Sequence, residues 1–259
     1  MSAHFFETSA RSAIGLVRQG NEDSGFISPQ LIAVADGMGG HAAGEVASRI
    51  AVEVLQSLVP ALVSTDIDED SVEDLLMHSL HSIDSEISVV ADEEIEKRGM
   101  GTTLTALLIR DKYISLLHVG DSRCYRLRGN TLEQLSNDHT VMQELIDQGR
   151  ITPDEAVNHP QRSLLTHALM GDSGFDPVVQ LYPIKLGDQF LLCSDGLTGV
   201  LSDFEITKII KKYDGQELVE NLVAETRAKG APDNVTVIWA EVVLEEDASS
   251  TSLIGAAHA

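Results

Sequence analysis

Three apolar runs in this chain each pass directly into an aspartate. The runs are "LIAVADG", "SLLHVGDSR" and "FLLCSDGL", and the aspartates are Asp36, Asp121 and Asp195. A fourth aspartate, Asp233, lies just before the apolar run "VTVIWA". Short apolar runs of this kind are typical of buried strands. Carboxylates at the ends of buried strands are unfavourable unless cations neutralise them, because desolvation and mutual repulsion both oppose the charged form.

The stretch "LIAVADGMGGHAAGE" around Asp36 admits three interpretations. The first is a simple turn, since Asp-Gly is a frequent turn dipeptide. The second is a nucleotide-binding loop. Asp36 would then place a negative charge beside a pyrophosphate, and Glu45 and Val46 stand where a P-loop requires Lys and Ser or Thr. The third, a metal ligand, is favoured, because carboxylate, carbonyl and water oxygens suit magnesium and manganese.

The charge balance agrees with a cation site and argues against nucleic acid as a partner. Asp and Glu number 41 against 18 Lys and Arg, which gives a formal net charge of -23. A protein that binds a phosphate backbone needs a basic surface instead. The 259 residues, 43% of them apolar, are enough for one large domain with a sizeable core.

Apolar segments and cysteines bear on where a protein is found in the cell. The first residues contain no apolar stretch of signal-peptide length, and no window approaches the roughly 18 apolar residues of a membrane-spanning helix. We therefore expect a cytoplasmic protein with no membrane contact. Cys124 and Cys193 both lie in apolar runs, which predicts buried free thiols rather than a disulfide.

The order of periodic segments predicts an α+β fold, with helices packed against antiparallel sheets. Residues 1–244 are predicted to form one domain, in which residues 138–176 mix short helices with loops and are interpreted as a flap. Residues 245–259 are mostly small and polar and are predicted to be a mobile tail. Two helices are predicted over 42–59 and 71–98, and two more are predicted to begin near Ser202 and Asp214. Strands are predicted over 102–109, 113–119, 123–128, 131–135, 188–193 and 234–244.

The stretch "VRQGNED" places a cation among these acidic residues. Arg18 offers a planar guanidinium whose parallel donors suit phosphate oxygens, and Glu22 and Asp23 follow it closely. Two metal ions held by carboxylates can activate a water molecule and clamp a phosphoryl group. No Cys or Ser nucleophile with a partnering base is evident, so a covalent mechanism is disfavoured.

Six motifs, spread in order over residues 18–238, carry a family resemblance. They are "RQGNED", "VADGMGGHAAGE", "GMGTTLTALLI", "HVGDSRCYRL", "LLCSDGL" and "DNVTVI". The chain resembles the bacterial branch of the metal-dependent Ser/Thr protein phosphatases, the type-2C family. This resemblance implies a four-layer α-β-β-α sandwich of two antiparallel sheets flanked by helix pairs. It also implies two magnesium or manganese ions at one sheet edge.

The resemblance assigns metal-binding roles to five residues. Asp36 would bridge the two ions, and the carbonyl group of Gly37 would bind one of them. Asp195 and Asp233 would hold the other ion. Glu22 would act in the same shell, mostly through water.

Four further residues match the family pattern around this set. Arg18 matches the phosphate-binding arginine, and Asp121 together with Asp195 matches a third, weaker metal site. Asp23 and Asn234 are expected to orient the ligands rather than to bind metal themselves.

His41 and the flap are the least regular parts of the resemblance. A histidine after the Asp-Gly motif is the family's proposed general acid for the leaving alkoxide, a task that suits an imidazole because it titrates near neutral pH. The alternative is a histidine that only packs at the start of a helix. In the flap, relatives usually carry an Arg-Asn pair and a later arginine, whereas this chain has Ser163 and His167. The resemblance therefore leaves substrate choice open.

The function implied by the resemblance is hydrolysis of phosphoserine and phosphothreonine on proteins, with Arg18 and the metal ions offsetting charge on the phosphoryl oxygens. Phosphorylated proteins and a cognate Ser/Thr kinase system are the implied partners, and we expect a monomer. One alternative is a non-catalytic phosphoprotein-binding module, which would be expected to lose metal carboxylates. Another is an acidic cation-binding structural domain, which would show no turnover.

Overall fold

The structure is a computed structural model that describes residues 4–39, 43–64, 66, 68–156, 159–171, 174–175, 177–244 and 251–258. The strands in this part of the chain are β1 (Phe5–Ala13), β2 (Asp23–Ile27), β3 (Leu31–Met38), β4 (Gly101–Thr102), β5 (Leu104–Arg110), β6 (Tyr113–Val119), β7 (Arg123–Arg128), β8 (Thr131–Gln134), β9 (Gln180–Pro183), β10 (Gln189–Cys193), β11 (Val235–Val243) and β12 (Ser252–Gly255). The helices are α1 (Gly44–Leu62), α2 (Glu69–Glu93), α3 (Val141–Asp147), α4 (Pro153–Ala156), α5 (Asp195–Thr198), α6 (Asp203–Ile210) and α7 (Gly215–Ala228). Single 3-10 turns span Ile95–Lys97 and Ala256–His258.

Two antiparallel sheets form the centre of the fold. One has the strand order β1-β11-β10-β7-β8, and the other has the order β12-β2-β3-β5-β6-β9 with β4 paired to β3. Helices α1 and α2 pack on the second sheet, and α6 and α7 pack on the first. The predicted α+β sandwich of four layers is therefore confirmed.

Strand β3 shows why its sequence is a continuous apolar run. Leu31, Ala33 and Ala35 face the core beneath α1 and α2. Ile32 and Val34 point the other way, into the core between the two sheets. Because successive side chains alternate between faces and both faces are buried, every position before Asp36 must be apolar.

The predicted helices and strands agree with the structure to within a few residues. A capping box begins α6 at Ser202, because its hydroxyl accepts from the Glu205 backbone N–H while the Glu205 carboxylate accepts from the Ser202 backbone N–H. Helix α1 continues through Pro60 instead of ending at residue 59. Strand β9 was not predicted, since its short and mostly exposed sequence carries no apolar alternation.

The prediction of a mobile tail is wrong for residues 251–258. Strand β12 pairs antiparallel with β2, from Ser252 opposite Ile27 to Gly255 opposite Ser24. Four residues are too few for an apolar period to be recognised in a sequence, and the pairing depends on a strand more than 200 positions earlier. The remaining residues of the predicted tail lie outside the described part of the chain.

Two smaller expectations can also be compared with the structure. Cys124 and Cys193 are free and buried, as predicted. Burial in apolar surroundings raises the pKa of each thiol, since the thiolate is disfavoured there. Within the described ranges, no helix combines the length and the apolar character needed to cross a membrane.

Candidate metal and phosphate site

The four strand-end aspartates converge at one end of the sandwich. Asp36 lies near the end of β3, Asp121 lies in the turn between β6 and β7, Asp195 begins α5, and Asp233 precedes β11. The carboxylates of Asp36 and Asp195 lie close enough for each to shift the pKa of the other. The negative charges of the other three aspartates all raise the pKa of Asp36. The structure thus brings together residues that are up to 197 positions apart in the sequence.

The electrostatics of this cluster are unfavourable for several negative charges at once. Burial, followed by the charges of Asp23 and Asp195, raises the pKa of Asp36 well above its usual value. Burial and the neighbouring Asp195 raise the pKa of Asp121 to about 7. Burial and Asp233 raise the pKa of Asp195. A bound cation would relieve both the desolvation and the mutual repulsion.

Hydrogen bonds to Thr102 and Thr103, at the junction of β4 and β5, fix the backbone of Asp36. The Asp36 backbone N–H donates to Thr103 Oγ1 (3.0 Å), and the Asp36 carbonyl accepts from the Thr103 backbone N–H (2.9 Å) and from Thr102 Oγ1 (3.0 Å). Thr103 Oγ1 also shares a hydrogen bond of 2.7 Å with Ser122 Oγ, beside Asp121. The end of β3 that carries Asp36 and the turn that carries Asp121 are therefore both bonded to Thr103.

Gly37 permits the close approach of three chain segments. A Cβ atom at this position would lie 2.1 Å from the Gly44 carbonyl oxygen and 2.5 Å from that of Glu22. Only glycine fits at such distances. The Gly37 backbone N–H donates to the Glu22 carbonyl oxygen (3.1 Å), which holds Glu22 beside the end of β3.

Asn234 fastens the loop between β1 and β2 to the start of β11. Its Nδ2 donates to the carbonyl oxygens of Ile14 (2.8 Å) and Gly20 (2.9 Å), and its Oδ1 accepts from the Glu22 backbone N–H (2.8 Å). This loop carries Arg18. The expectation that Asn234 orients ligands is consistent with these bonds and stays a prediction.

Arg18 lies at the rim of the carboxylate cluster. Its Nη2 is 2.6 Å from Asp233 Oδ2, and its Nη1 is 3.9 Å from Glu22 Oε2. The hydrogen bond to Asp233 raises the pKa of the guanidinium. The Arg18 side chain is 49% exposed, so its remaining donors are accessible to a ligand from solvent.

Asp23 occupies a closed position behind Asp36. The two residues are paired in register between β2 and β3, and Asp23 is only 1% exposed. Ser194 Oγ donates to Asp23 Oδ2 (2.7 Å), next to Asp195. Burial raises the pKa of Asp23 to about 7. That Asp23 orients the ligands rather than binding metal directly stays a prediction.

Sequence reasoning missed the pairing of Arg123 with Asp138 at the base of the flap. Arg123 Nε and Nη2 donate to the Asp138 carboxylate over 2.7–3.0 Å, and Nη1 donates to Tyr125 Oη (3.1 Å), which donates to Asp203. The positive charge of Arg123 opposes the rise in the pKa of Asp121. The motif "GDSR" contained a signal for the role of Arg123. Asp121 and Arg123 are two residues apart at the start of a strand, and such residues point to the same face.

A cluster of aromatic rings connects the flap to β6. The rings of His118 and His139 lie 4.9 Å apart, and His139 is 5.0 Å from Phe175. His167, one of the two flap residues at which the family pattern is not met, stacks on Phe175 at 3.9 Å. Ser163, the other, lines a groove between the flap and the residues around α5. His41 lies outside the described residues.

That groove has a volume of about 610 Å³. Asp121 and Asp195 of the carboxylate cluster are among its lining residues. Met142 and Ile146 from the flap and Val200 after α5 also line it. The groove therefore combines apolar and charged side chains and borders the cluster.

The donor atoms of the cluster fit a hard divalent cation. Among the residues that the structure describes, no three His, Cys, Asp or Glu side chains are already gathered into a metal-binding arrangement. Asp233 contacts Arg18 instead, and Asp195 and Asp36 shift each other's pKa. The candidate donors are nevertheless all oxygen atoms on converging, negatively charged groups, which is the ligand type that magnesium and manganese prefer.

Comparison with characterised proteins gives named relatives. Serine/threonine protein phosphatase PstP of Mycobacterium tuberculosis is 44% identical over 237 residues, which cover 90% of this chain and 44% of PstP. The chain therefore spans less than half the length of PstP. Serine/threonine phosphatase stp of Listeria welshimeri is 34% identical over 237 residues, which cover 89% of this chain and 94% of that protein.

Solved structures of such proteins superimpose on this chain. A crystal structure of PstP from Mycobacterium tuberculosis gives a TM-score of 0.84 at 42% identity, covering 92% of this chain and 98% of that one. The catalytic domain of PstP in complex with two manganese ions gives a TM-score of 0.83 at 40% identity, covering 93% and 99%. The sequence profile of protein phosphatase 2C matches residues 21–234. On these matches, the chain belongs to the protein phosphatase 2C family.

Proposed function

We propose that this chain hydrolyses phosphoserine and phosphothreonine esters on proteins in a metal-dependent reaction. The observation that carries the proposal is the convergence of Asp36, Asp121, Asp195 and Asp233 at one end of the sandwich, with Arg18 at the rim. Relatives that match most of this chain are named Ser/Thr protein phosphatases, and a PstP structure contains two manganese ions.

Five residues are proposed to hold two magnesium or manganese ions. Asp36 would bridge them, the Gly37 carbonyl would bind one, Asp195 and Asp233 would bind the other, and Glu22 would contribute through water. When bound, the ions would lower the pKa of an attacking water and offset negative charge on the phosphoryl group. Asp121 together with Asp195 is proposed as a third, weaker site.

The protein's own groups would then bind and orient the ester. Arg18 keeps exposed guanidinium donors at the rim and would bind the non-bridging phosphoryl oxygens. Asp23 and Asn234 would hold the β2 start and the Arg18 loop in place through their hydrogen bonds to Ser194 and to the loop backbone. His41 is proposed to donate a proton to the departing serine or threonine oxygen.

The partners proposed for this site are phosphorylated proteins and the Ser/Thr kinase system that supplies them. The groove beside Asp121 and Asp195 has room for the polypeptide that flanks a phosphoresidue. A cytoplasmic location and a monomeric state belong to the same proposal.

The test is phosphate release from three peptides of one sequence that carry phosphoserine, phosphothreonine or phosphotyrosine, at saturating Mn2+. We expect rapid release from the first two peptides and little from the third. Asp36→Asn serves as the control for a contaminating phosphatase. Tight binding of the phosphoserine peptide without phosphate release would favour the non-catalytic binding module. Neither binding nor release would favour the structural cation-binding domain.

A further inference from the structure

The edge of strand β2 is covered by a segment outside the region that the family profile matches. The profile ends at residue 234, whereas β12 begins at Ser252. Strand β12 pairs with β2 over four residues and makes it an internal strand of the sheet. Strand β2 begins with Asp23, which is paired in register with Asp36. The covering segment thus lies one strand away from the proposed bridging ligand.

The segment fits this edge closely on both faces. A Cβ atom at Gly25 would lie 2.7 Å from Ile254 Cγ1, so the absence of a side chain on β2 makes the space that Ile254 occupies. Ile254 packs against the core between the sheets. Leu253 and Ala257 pack against the core beneath α1 and α2. One short strand therefore connects both cores to the edge of β2.

The end of the segment lies directly against the backbone of Asp23. Gly255 has φ +72, and a Cβ atom there would be 2.2 Å from the Asp23 carbonyl oxygen and 3.1 Å from Ser12 Oγ. Ser12 Oγ is also hydrogen-bonded to Thr236 Oγ1 (2.8 Å) and accepts from Asn21 Nδ2 (2.8 Å). The start of β2 is thus held between β12 on one side and β3 on the other.

We infer that residues 251–258 are a positioning segment for the catalytic carboxylates, and this inference rests on the proposed function. Without β12, the outer backbone groups of β2 would be unpaired at a sheet edge, where strands fray readily. Asp23 would then lose the contact that closes its backbone from solvent. Because Asp23 is paired with Asp36 and accepts from Ser194, its displacement would disturb Asp36 and Asp195 together.

A purely structural strand makes a different prediction from a positioning segment. A structural strand would lower thermal stability and leave the affinity of the folded protein for metal unchanged. A positioning segment would also weaken Mn2+ binding, since residues that orient metal ligands typically contribute about 10-fold to 100-fold in affinity.

The experiment compares three variants of the full chain. Ile254→Asp places a charge in the core between the sheets and should detach β12. Gly255→Val forces a side chain against the Asp23 carbonyl at a backbone conformation of φ +72, so it should disturb the end of β12 beside Asp23. Val223→Ala, in the core beneath α7, lowers stability far from β2 and serves as the matched control. Mn2+ binding is measured by calorimetry with the metal alone, and protection of the β2 amides is measured by hydrogen exchange.

We expect Ile254→Asp to weaken Mn2+ binding about 10-fold and to expose the β2 amides to exchange. Gly255→Val should weaken Mn2+ binding and expose the β2 amides to a smaller extent. If Ile254→Asp does not fold, Gly255→Val serves as the test of the positioning role. Val223→Ala should lower the melting temperature with Mn2+ binding unchanged. The positioning role is overturned if both β12 variants behave like Val223→Ala. Wild-type protein that binds no Mn2+ would instead refute the proposed function, and the positioning role with it.

Discussion

The carboxylates of the site and its arginine are held by different kinds of structure. Asp36 and Asp195 lie at the ends of buried strands, and burial and neighbouring charges raise the pKa of each. Arg18 lies on the loop between β1 and β2 and is about half exposed. The sheets thus hold the groups that must stay close despite their repulsion, whereas the loop presents the group that must meet a ligand from solvent.

The supports of the two regions differ accordingly. The Asp36 backbone is fixed by hydrogen bonds to Thr102 and Thr103 within the sheet. The Arg18 loop is fixed mainly at its base, where Asn234 bonds the carbonyls of Ile14 and Gly20. Substitutions in the sheet-borne set should therefore abolish the site, and substitutions in the loop should change how tightly it holds a substrate.

The largest effect is expected for Asp36→Asn. The substitution keeps the size of the side chain but removes the charge at the centre of the cluster, so phosphate release should fall by more than about 100-fold. Asp66→Asn, which changes an exposed carboxylate in the loop before α2, is the matched control and should behave as the wild type. Turnover near the wild-type level in Asp36→Asn would contradict a bridging role.

A smaller and substrate-dependent effect is expected for His41→Ala. If His41 protonates the leaving oxygen, the variant should slow a phosphopeptide by about 10² or more, because a serine alkoxide is strongly basic. Hydrolysis of a nitrophenyl ester should hardly change, since its phenolate leaves without a proton. Equal losses with both substrates would show that His41 only packs against the fold.

Arg18→Ala tests the prediction that the loop affects substrate binding more than turnover. A charge-assisted hydrogen bond contributes about 1.5–3 kcal/mol, and the exposure of Arg18 places its contribution at the lower end, so KM for a phosphopeptide should rise about 10-fold. The value of kcat should fall less, if the guanidinium binds ground and transition states alike. A large fall in kcat at unchanged KM would assign Arg18 to the transition state alone.

The last effect, on stability rather than on turnover, concerns His118 in β6, whose ring lies beside that of His139. Burial and the neighbouring His139 lower the pKa of His118 to about 3. An unfolded histidine takes up a proton below about pH 6.5, whereas the folded one stays neutral down to about pH 3. The free energy of unfolding should therefore decrease as pH falls from about 6.5 towards 3.

His118→Gln removes this titration while keeping a side chain that can bond Thr105 and the Asn137 carbonyl. Thermal unfolding measured at pH 7 and at pH 4.5 should show a smaller acid-induced loss in the variant than in the wild type. Equal losses in the two proteins would exclude His118 as a source of the acid sensitivity.

The sequence alone predicted that Asp36, Asp121, Asp195 and Asp233 lie at strand ends, for a physical reason. Each strand end combines a long apolar run with one aspartate, and that pattern is local in the chain. The pairing of Arg123 with Asp138 was not predicted because it joins separate elements. Strand β12 was missed because its formation depends on the open edge of β2 and on the space above Gly25, neither of which leaves a mark in its own four residues.

The central claim is that the converged carboxylates bind metal ions that hydrolysis requires. The most direct measurement is Mn2+ titration of exhaustively chelated protein, with binding and phosphopeptide hydrolysis followed in the same samples. We predict no turnover after chelation, followed by recovery as about two ions bind per chain, with both signals lost in Asp36→Asn. Full hydrolysis by the chelated protein, with no ion bound, would contradict the account.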